Sequence, residues 1–293
     1  MERQLYRAIL ALLNPLDKTP SPTRHDFPDT RILAIFVWAC LHDRPVSWAC
    51  ADKNWPLDLR RHPLPSPSTL SRRLRRPSVI ALLADLLARV LPPAEPGAFW
   101  MIDGKPLVIG GASGDREGVC GRAVNGMARG YKLHALLNPQ GDIAACEVTA
   151  MNIDERVVAE RLIRQAGVQG YVLADANYDS NTLHAVCDAL GDLQLITPRR
   201  FARTAKGTGH RPQAEGRQRC LEAWAAPEPR YIDGLLAERG AIERHFANLT
   251  NWGGGLGPLP AWVRTHPRVE AWVAVKLAIS AVKRRCKITT CDA

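Results

Sequence analysis

Long apolar runs are missing from this chain. The longest, ILAIFVWACL at 32–41, falls far short of the roughly 20 residues a spanning helix needs, and Arg31 and His42-Asp43-Arg44 flank it. It reads as a helix of a soluble core, with no membrane partner. The N-terminal AILALL is preceded by Glu2 and Arg3, runs into Asn14-Pro15 and lacks a small-residue cleavage site, so a cytoplasmic protein is expected. The 8 cysteines form no CxxC pair, which excludes a zinc ribbon and a disulfide framework and predicts reduced, mostly buried thiols. The 8 histidines form no HExxH, and NWGGGLG lacks the Gly-Lys-Ser/Thr of a phosphate loop and reads as a connector. Acidic residues are in deficit: Asp+Glu 29 against Lys+Arg 39 gives net +10, the footprint of a polyanionic partner.

A hydrophobic share of 46% with 23% charged residues, over 293 residues, describes a globular chain with room for two domains. Residues 1–98 read as helices punctuated by proline. Asp29 or Thr30 can cap a helix through about His42. SPSTLSRRLRR predicts a short basic helix with Ser66 or Ser68 as its cap, Leu70 and Leu74 inward, and Arg72, Arg73 and Arg76 largely outward. Two readings of it stand side by side: a recognition helix on a helix-turn-helix scaffold, or a solvated amphipathic helix. A longer apolar helix, SVIALLADLLARV, follows Pro77.

From Phe99 the pattern changes to strands. FWMIDGKPLVI, GYKLHALLN and IAACEVTA are strand candidates, the last two joined as an antiparallel hairpin by NPQGD. NIDERVVAERLIRQA predicts a helix capped by Asn152, YVLAD a strand, the next segment a helix capped by Asp179, and LQLITPRR a strand. The basic stretch 202–219 predicts a loop or insertion, after which Ile242, Phe246 and Leu249 mark a helix's apolar face. The expected division is a helical domain at 1–98, a catalytic domain at 99–262 and a closing helix at 263–293.

Two carboxylates stand where they are costly. Asp103 and Asp175 each follow apolar residues of a core strand, so the same desolvation penalty arises twice and calls for a cation. Glu243 lies beside the inward Ile242, with Arg239 one turn earlier in the poorer orientation for a surface pair. Other acids read as structural: Asp154 and Glu155 at a helix N-terminus, and Asp115, Asp142, Asp188 and Asp192 in loops or helix ends. Trp224 and Trp252 suit the core or stacking on an unpaired base.

MIDGKPLVI, LADANYDSNTL and RGAIERHFANL, in this order and spacing, resemble the three acidic motifs of DDE insertion-sequence transposases. LHDRPVSWACADKNWP with LPSPSTLSRRLRR, and the closing LPAWVRTHPRVEAWVAVKLAI, extend the similarity. Leu236 and Thr250 depart from the Tyr and Lys often found around the third motif, and Ala176-Asn177 from the Lys-Gly of the second. The resemblance implies an α/β fold: a ribonuclease H-like mixed sheet with flanking helices, preceded by a helical N-terminal domain. It implies that Asp103, Asp175 and Glu243 are catalytic and hold two Mg²⁺ or Mn²⁺ ions, Asp103 bridging them, while water or a DNA 3′-hydroxyl attacks in line. Arg239, Lys105, Lys132 and Arg244 are then candidates for phosphate, and Ser68, Arg72, Arg73 and Arg76 for DNA. The implied partners are terminal inverted repeats, target DNA and further copies in a homodimer or higher assembly. Two alternatives share these residues: a nuclease of the same fold that cuts without joining, and a non-catalytic DNA-binding relative, which the intact carboxylates disfavour.

Overall fold

The computed structural model describes residues 1–16, 27–60, 63–91, 99–111, 113–198, 213–225, 230–251 and 255–285. In chain order the helices are α1 (Glu2–Leu13), α2 (Asp29–Leu41), α3 (Val46–Ala49), α4 (Pro67–Arg73), α5 (Pro77–Val90), α6 (Glu155–Ala166), α7 (Asn181–Ala189), α8 (Glu215–Ala225), α9 (Arg230–Arg239), α10 (Ala241–Asn251) and α11 (His266–Arg285). The strands are β1 (Phe99–Val108), β2 (Val119–Ala123), β3 (Gly126–Leu137), β4 (Ile143–Ala150), β5 (Gly170–Leu173) and β6 (Leu193–Ile196). They form two compact units: a helical one of residues 1–92, 108–118 and 247–293, and a sheet-containing one of 93–107 and 119–246.

In the helical unit, α2 is buried on nearly every side, from Ile32 through Cys40, because its sequence offers no polar face. α1 turns Leu5, Tyr6, Ile9 and Leu13 inward, and α11 is buried without interruption from Val275 to Val282. That last run includes Lys276, whose ammonium donates to the Cys40 carbonyl at 2.8 Å and meets Asp43 at 2.7 Å. A lysine 1% exposed is tolerable only with such partners. Among the described residues no side chain caps α2, because Asp29 is engaged elsewhere: Arg73 of α4 donates to it at 2.6 Å and to the Phe27 carbonyl at 2.7 Å. Arg73 therefore points inward, unlike the outward direction expected of it. Of the two candidate caps of α4, Ser66 serves, its hydroxyl accepting the Thr69 N–H at 3.2 Å.

The other unit is built on a six-stranded sheet in the order β2-β3-β1-β5-β6, with β4 also pairing β3. β3 is long enough to pair β2 along its first half and β4 along its second, both antiparallel; β5 runs parallel to β1, and β6 to β5. This is the expected ribonuclease H-like mixed sheet with flanking helices; the short β2 is the addition. The β3–β4 hairpin closes as expected, with the Asp142 N–H donating to Asn138 Oδ1 at 2.7 Å and Gly141 at φ +81. Trp100, Ile102, Leu136, Val158, Leu162 and Val172 lie in the core between sheet and helices.

Three expectations at helix ends give way. The cap of α6 is Asp154, not Asn152, its carboxylate accepting the Arg156 N–H at 3.0 Å. The cap of α7 is Ser180, not Asp179. Asp179 is instead buried in a two-pronged pair with Arg217 at 2.8 and 3.0 Å, with His184 3.7 Å away. Arg217 belongs to α8, so 215–219 of the expected loop are helical, while 202–212 lie outside the described residues. Asp188 fixes the same helix, accepting the Gly216 N–H at 2.9 Å. Trp224 packs half-buried with its indole N–H on the Thr197 carbonyl at 3.1 Å; Trp252, Gly253 and Gly254 lie outside the described residues.

Removing one partner of a buried pair strands the other's charge. Arg217→Met should therefore cost about 3–5 kcal/mol, measured by urea unfolding. A second expectation concerns pH. His134 in β3 is 1% exposed with its Nε2 2.9 Å from the Thr149 hydroxyl, and burial, then the charge of Lys132, pushes its pKa down to about 4. The folded chain keeps this imidazole neutral while the unfolded chain protonates it, so its contribution to stability is present above about 6.5 and is lost as pH falls toward about 4. His134→Gln should flatten the fall in unfolding free energy over that window.

Candidate active site

β1 and β5 place the first two carboxylates. Phe99 pairs with Tyr171 and Met101 with Leu173, an offset of 72 residues, and Asp103 and Asp175 are separated by the same 72. The parallel register that buries Trp100 and Val172 thus carries both acids to the same level of the sheet, Asp103 midway along β1 and Asp175 just past the end of β5. Asp103 accepts the Gly104 N–H at 2.7 Å. Asp175 follows the end of β5 and caps a short 3₁₀ turn, accepting the Asn177 N–H at 2.8 Å and its side-chain amide at 3.0 Å.

Burial pushes the Asp103 pKa up to about 6; the Gly104 N–H opposes that rise, the charges of Asp175 and Glu155 add to it, and Arg239 opposes it. A crowded set of carboxylates around a half-buried one is unfavourable unless a cation joins it. The donors are all oxygens, which suits a hard divalent ion. Arg239, at the end of α9, also reaches toward Glu243 in the first turn of α10, Nη2 to Oε1 3.7 Å. The Glu243 side chain is 70% exposed, and the arginine it meets is the one whose charge acts on Asp103. Among the described residues no three acidic, histidine or cysteine side chains already close around one point. The structure brings Asp103, Asp175 and Arg239 together and leaves Glu243 one ion pair away.

The remaining candidates divide by environment. Lys132, on β3, is nearly buried and ion-paired with Glu155 at 2.5 Å. A side chain at Gly104 would come within 2.8 Å of the Lys132 stem and 3.1 Å of Glu155, so glycine beside Asp103 leaves room for that pair. Burial lowers the pKa of Lys105, and Arg244 is exposed. In the helical unit Ser68, Arg72 and Arg76 are exposed, whereas Arg73 is held by Asp29.

Two residues of the site are not evident from sequence. Glu155 reads there as part of a helix terminus alone, yet a lysine inside an apolar strand, Lys132, already calls for a buried acid. Tyr178 ends the 3₁₀ turn fully buried, its hydroxyl without a hydrogen-bond partner among the described residues. Burial raises its pKa, and the charges of Glu155, Asp103 and Asp175 raise it further.

With this geometry in place, the family is decided by a match of residues 101–259 to the transposase DDE domain model. The chain belongs to that family. It is a DNA transposase, and domains of this family depend on metal ions. A cryo-EM structure of a piggyBac transposase synaptic complex with hairpin DNA is similar at 12% identity and a TM-score of 0.39, over 98% of this chain and 80% of that one. No curated protein matches the chain. Among the described residues of this transposase no helix is long and apolar enough to cross a membrane.

An orphaned buried hydroxyl costs stability that a phenyl ring of the same shape does not. Tyr178→Phe should therefore raise the unfolding free energy of the metal-free protein by about 1 kcal/mol, measured by denaturant titration.

Proposed function

We propose that the transposase cuts DNA at the terminal inverted repeats of its element and joins the freed 3′ ends to target DNA, with Asp103, Asp175 and Glu243 as its catalytic acids. The observation that supports this most is the shared 72-residue offset, which aligns two acids of the family's motifs at one level of adjacent strands. Two Mg²⁺ or Mn²⁺ ions held by these three residues would supply activation of the attacking oxygen and stabilisation of the leaving one. Asp103 is suited to the position shared by both ions because it is the more buried of the strand acids, and burial, with the charges of Asp175 and Glu155 added, raises its pKa. Arg239, which pairs with Glu243 and acts electrostatically on Asp103, faces the phosphate; Lys105 and Arg244 add positive charge, and Lys132 holds Glu155. Ser68, Arg72 and Arg76 of α4 meet the duplex, with Arg73 setting the helix on α2. Recognition by 1–98, chemistry by 99–262, a closing segment at 263–293, work in the cytoplasm and assembly of two or more copies on DNA complete the reading.

One observation favours a variant of the acidic set. Glu155 acts on Asp103 electrostatically, whereas Glu243 faces solvent beside Arg239. In this second reading Glu155 takes the third position.

One series of substitutions separates these readings. Asp103→Ala, Asp175→Ala and Glu243→Ala should each abolish Mg²⁺-dependent cutting of element ends and the joining of pre-cut 3′-hydroxyl ends to a plasmid, with DNA affinity unchanged. Glu155→Gln should cost about 10–100-fold, as for a group behind a ligand. Full activity in Glu243→Ala with none in Glu155→Gln would transfer the third role to Glu155. Cutting without any joined product, across several targets, would replace the transfer reaction with plain hydrolysis.

A further inference from the structure

A groove of about 460 Å³ opens in the helical unit between α2, α4, α5 and the start of α11. Phe36, Val79 and Leu83 give it an apolar floor, and Arg75, Arg264 and Arg268 stand around it. Each arginine spends one N–H on a main-chain carbonyl: Arg75 on Ser71 at 3.2 Å, Arg264 on Ala261 at 2.8 Å and Arg268 on Trp262 at 3.5 Å. None forms an ion pair with a carboxylate among the described residues. Glu270 also borders the groove, but its carboxylate faces His266 at 3.8 Å. Burial, then the charges of Arg75 and Arg264, hold the Arg268 guanidinium below its ordinary value. Three like charges have thus been gathered where no carboxylate among the described residues compensates them.

Local structure holds two of them there. Thr265 sits at φ +72, a conformation unfavourable for a threonine, and its N–H donates to the buried Asp115 at 3.1 Å. The His266 N–H donates to Glu117 at 2.8 Å. These two bonds fix the turn from which Arg264 and Arg268 project.

We propose that Arg75, Arg264 and Arg268 form a binding site for the phosphate backbone of duplex DNA, beside the basic face of α4 and additional to it. The site rests on the DNA reading above. The charge is complementary, and each guanidinium keeps donors free for phosphate oxygens. Arg75 lies between Arg72 and Arg76 in sequence, so a duplex on α4 passes close to it.

Full-length protein with Gln at all three positions is compared with wild type by fluorescence anisotropy on a labelled random-sequence duplex over a range of salt. Weaker binding is expected, and the slope of log affinity against log salt should shrink by about 0.9 for each phosphate that is no longer neutralised. The melting temperature without DNA should stay level or rise, since mutual repulsion is relieved. Triple Arg→Lys replacement, which keeps the charge, should restore most of the slope, and the single Gln variants guard against a misfolded triple. Wild-type affinity and slope in the Gln variants overturn the proposal, as does a change confined to self-association. Absence of duplex binding by the wild type at low salt overturns the underlying DNA reading instead.

Discussion

The catalytic half of this protein depends on the parallel pairing of β1 with β5. Two strands locked in register by hydrophobic residues set both carboxylates at one level of the sheet, Asp103 within β1 and Asp175 two residues past the end of β5. A one-residue slip would turn Asp103 to the other face of the sheet and expose the side chains that now fill the core. The core and the site are therefore specified by the same constraint. The cost of burying Asp103 beside other acids is visible in its raised pKa, which the Gly104 N–H and Arg239 moderate.

Much of this is legible in the residues. The alternation of strands and helices, the β3–β4 turn and the positions of Asp103 and Asp175 all follow from local pattern, since strand periodicity and turn chemistry are local properties. What sequence does not show depends on distant partners. Asp179 is followed by a good cap residue and has the look of a cap itself, yet Arg217, 38 residues later, takes it into the interior. Asp29 has the position of a cap, but Arg73 claims it. In each case the competition between a backbone N–H and a guanidinium is settled by tertiary packing, which no window of sequence contains. Tyr178 is hidden for the opposite reason: an aromatic residue in a core is ordinary, and only the geometry leaves its hydroxyl unanswered.

The same logic bears on the charge. A net charge of +10 cannot say which cations are available, because a folded chain spends some of them on itself. Lys276 is consumed by Asp43 and the Cys40 carbonyl, Arg217 by Asp179, Lys132 by Glu155, and Arg73 by Asp29. Arginines enclosed in this way shape the protein and are lost to a partner. Those left with open donors, on the outer side of α4 and around the groove beside α11, are the ones whose charge a polyanion can use. Electrostatic attraction at the surface is then set by which basic residues the core has declined, and that is fixed only when the helices have packed.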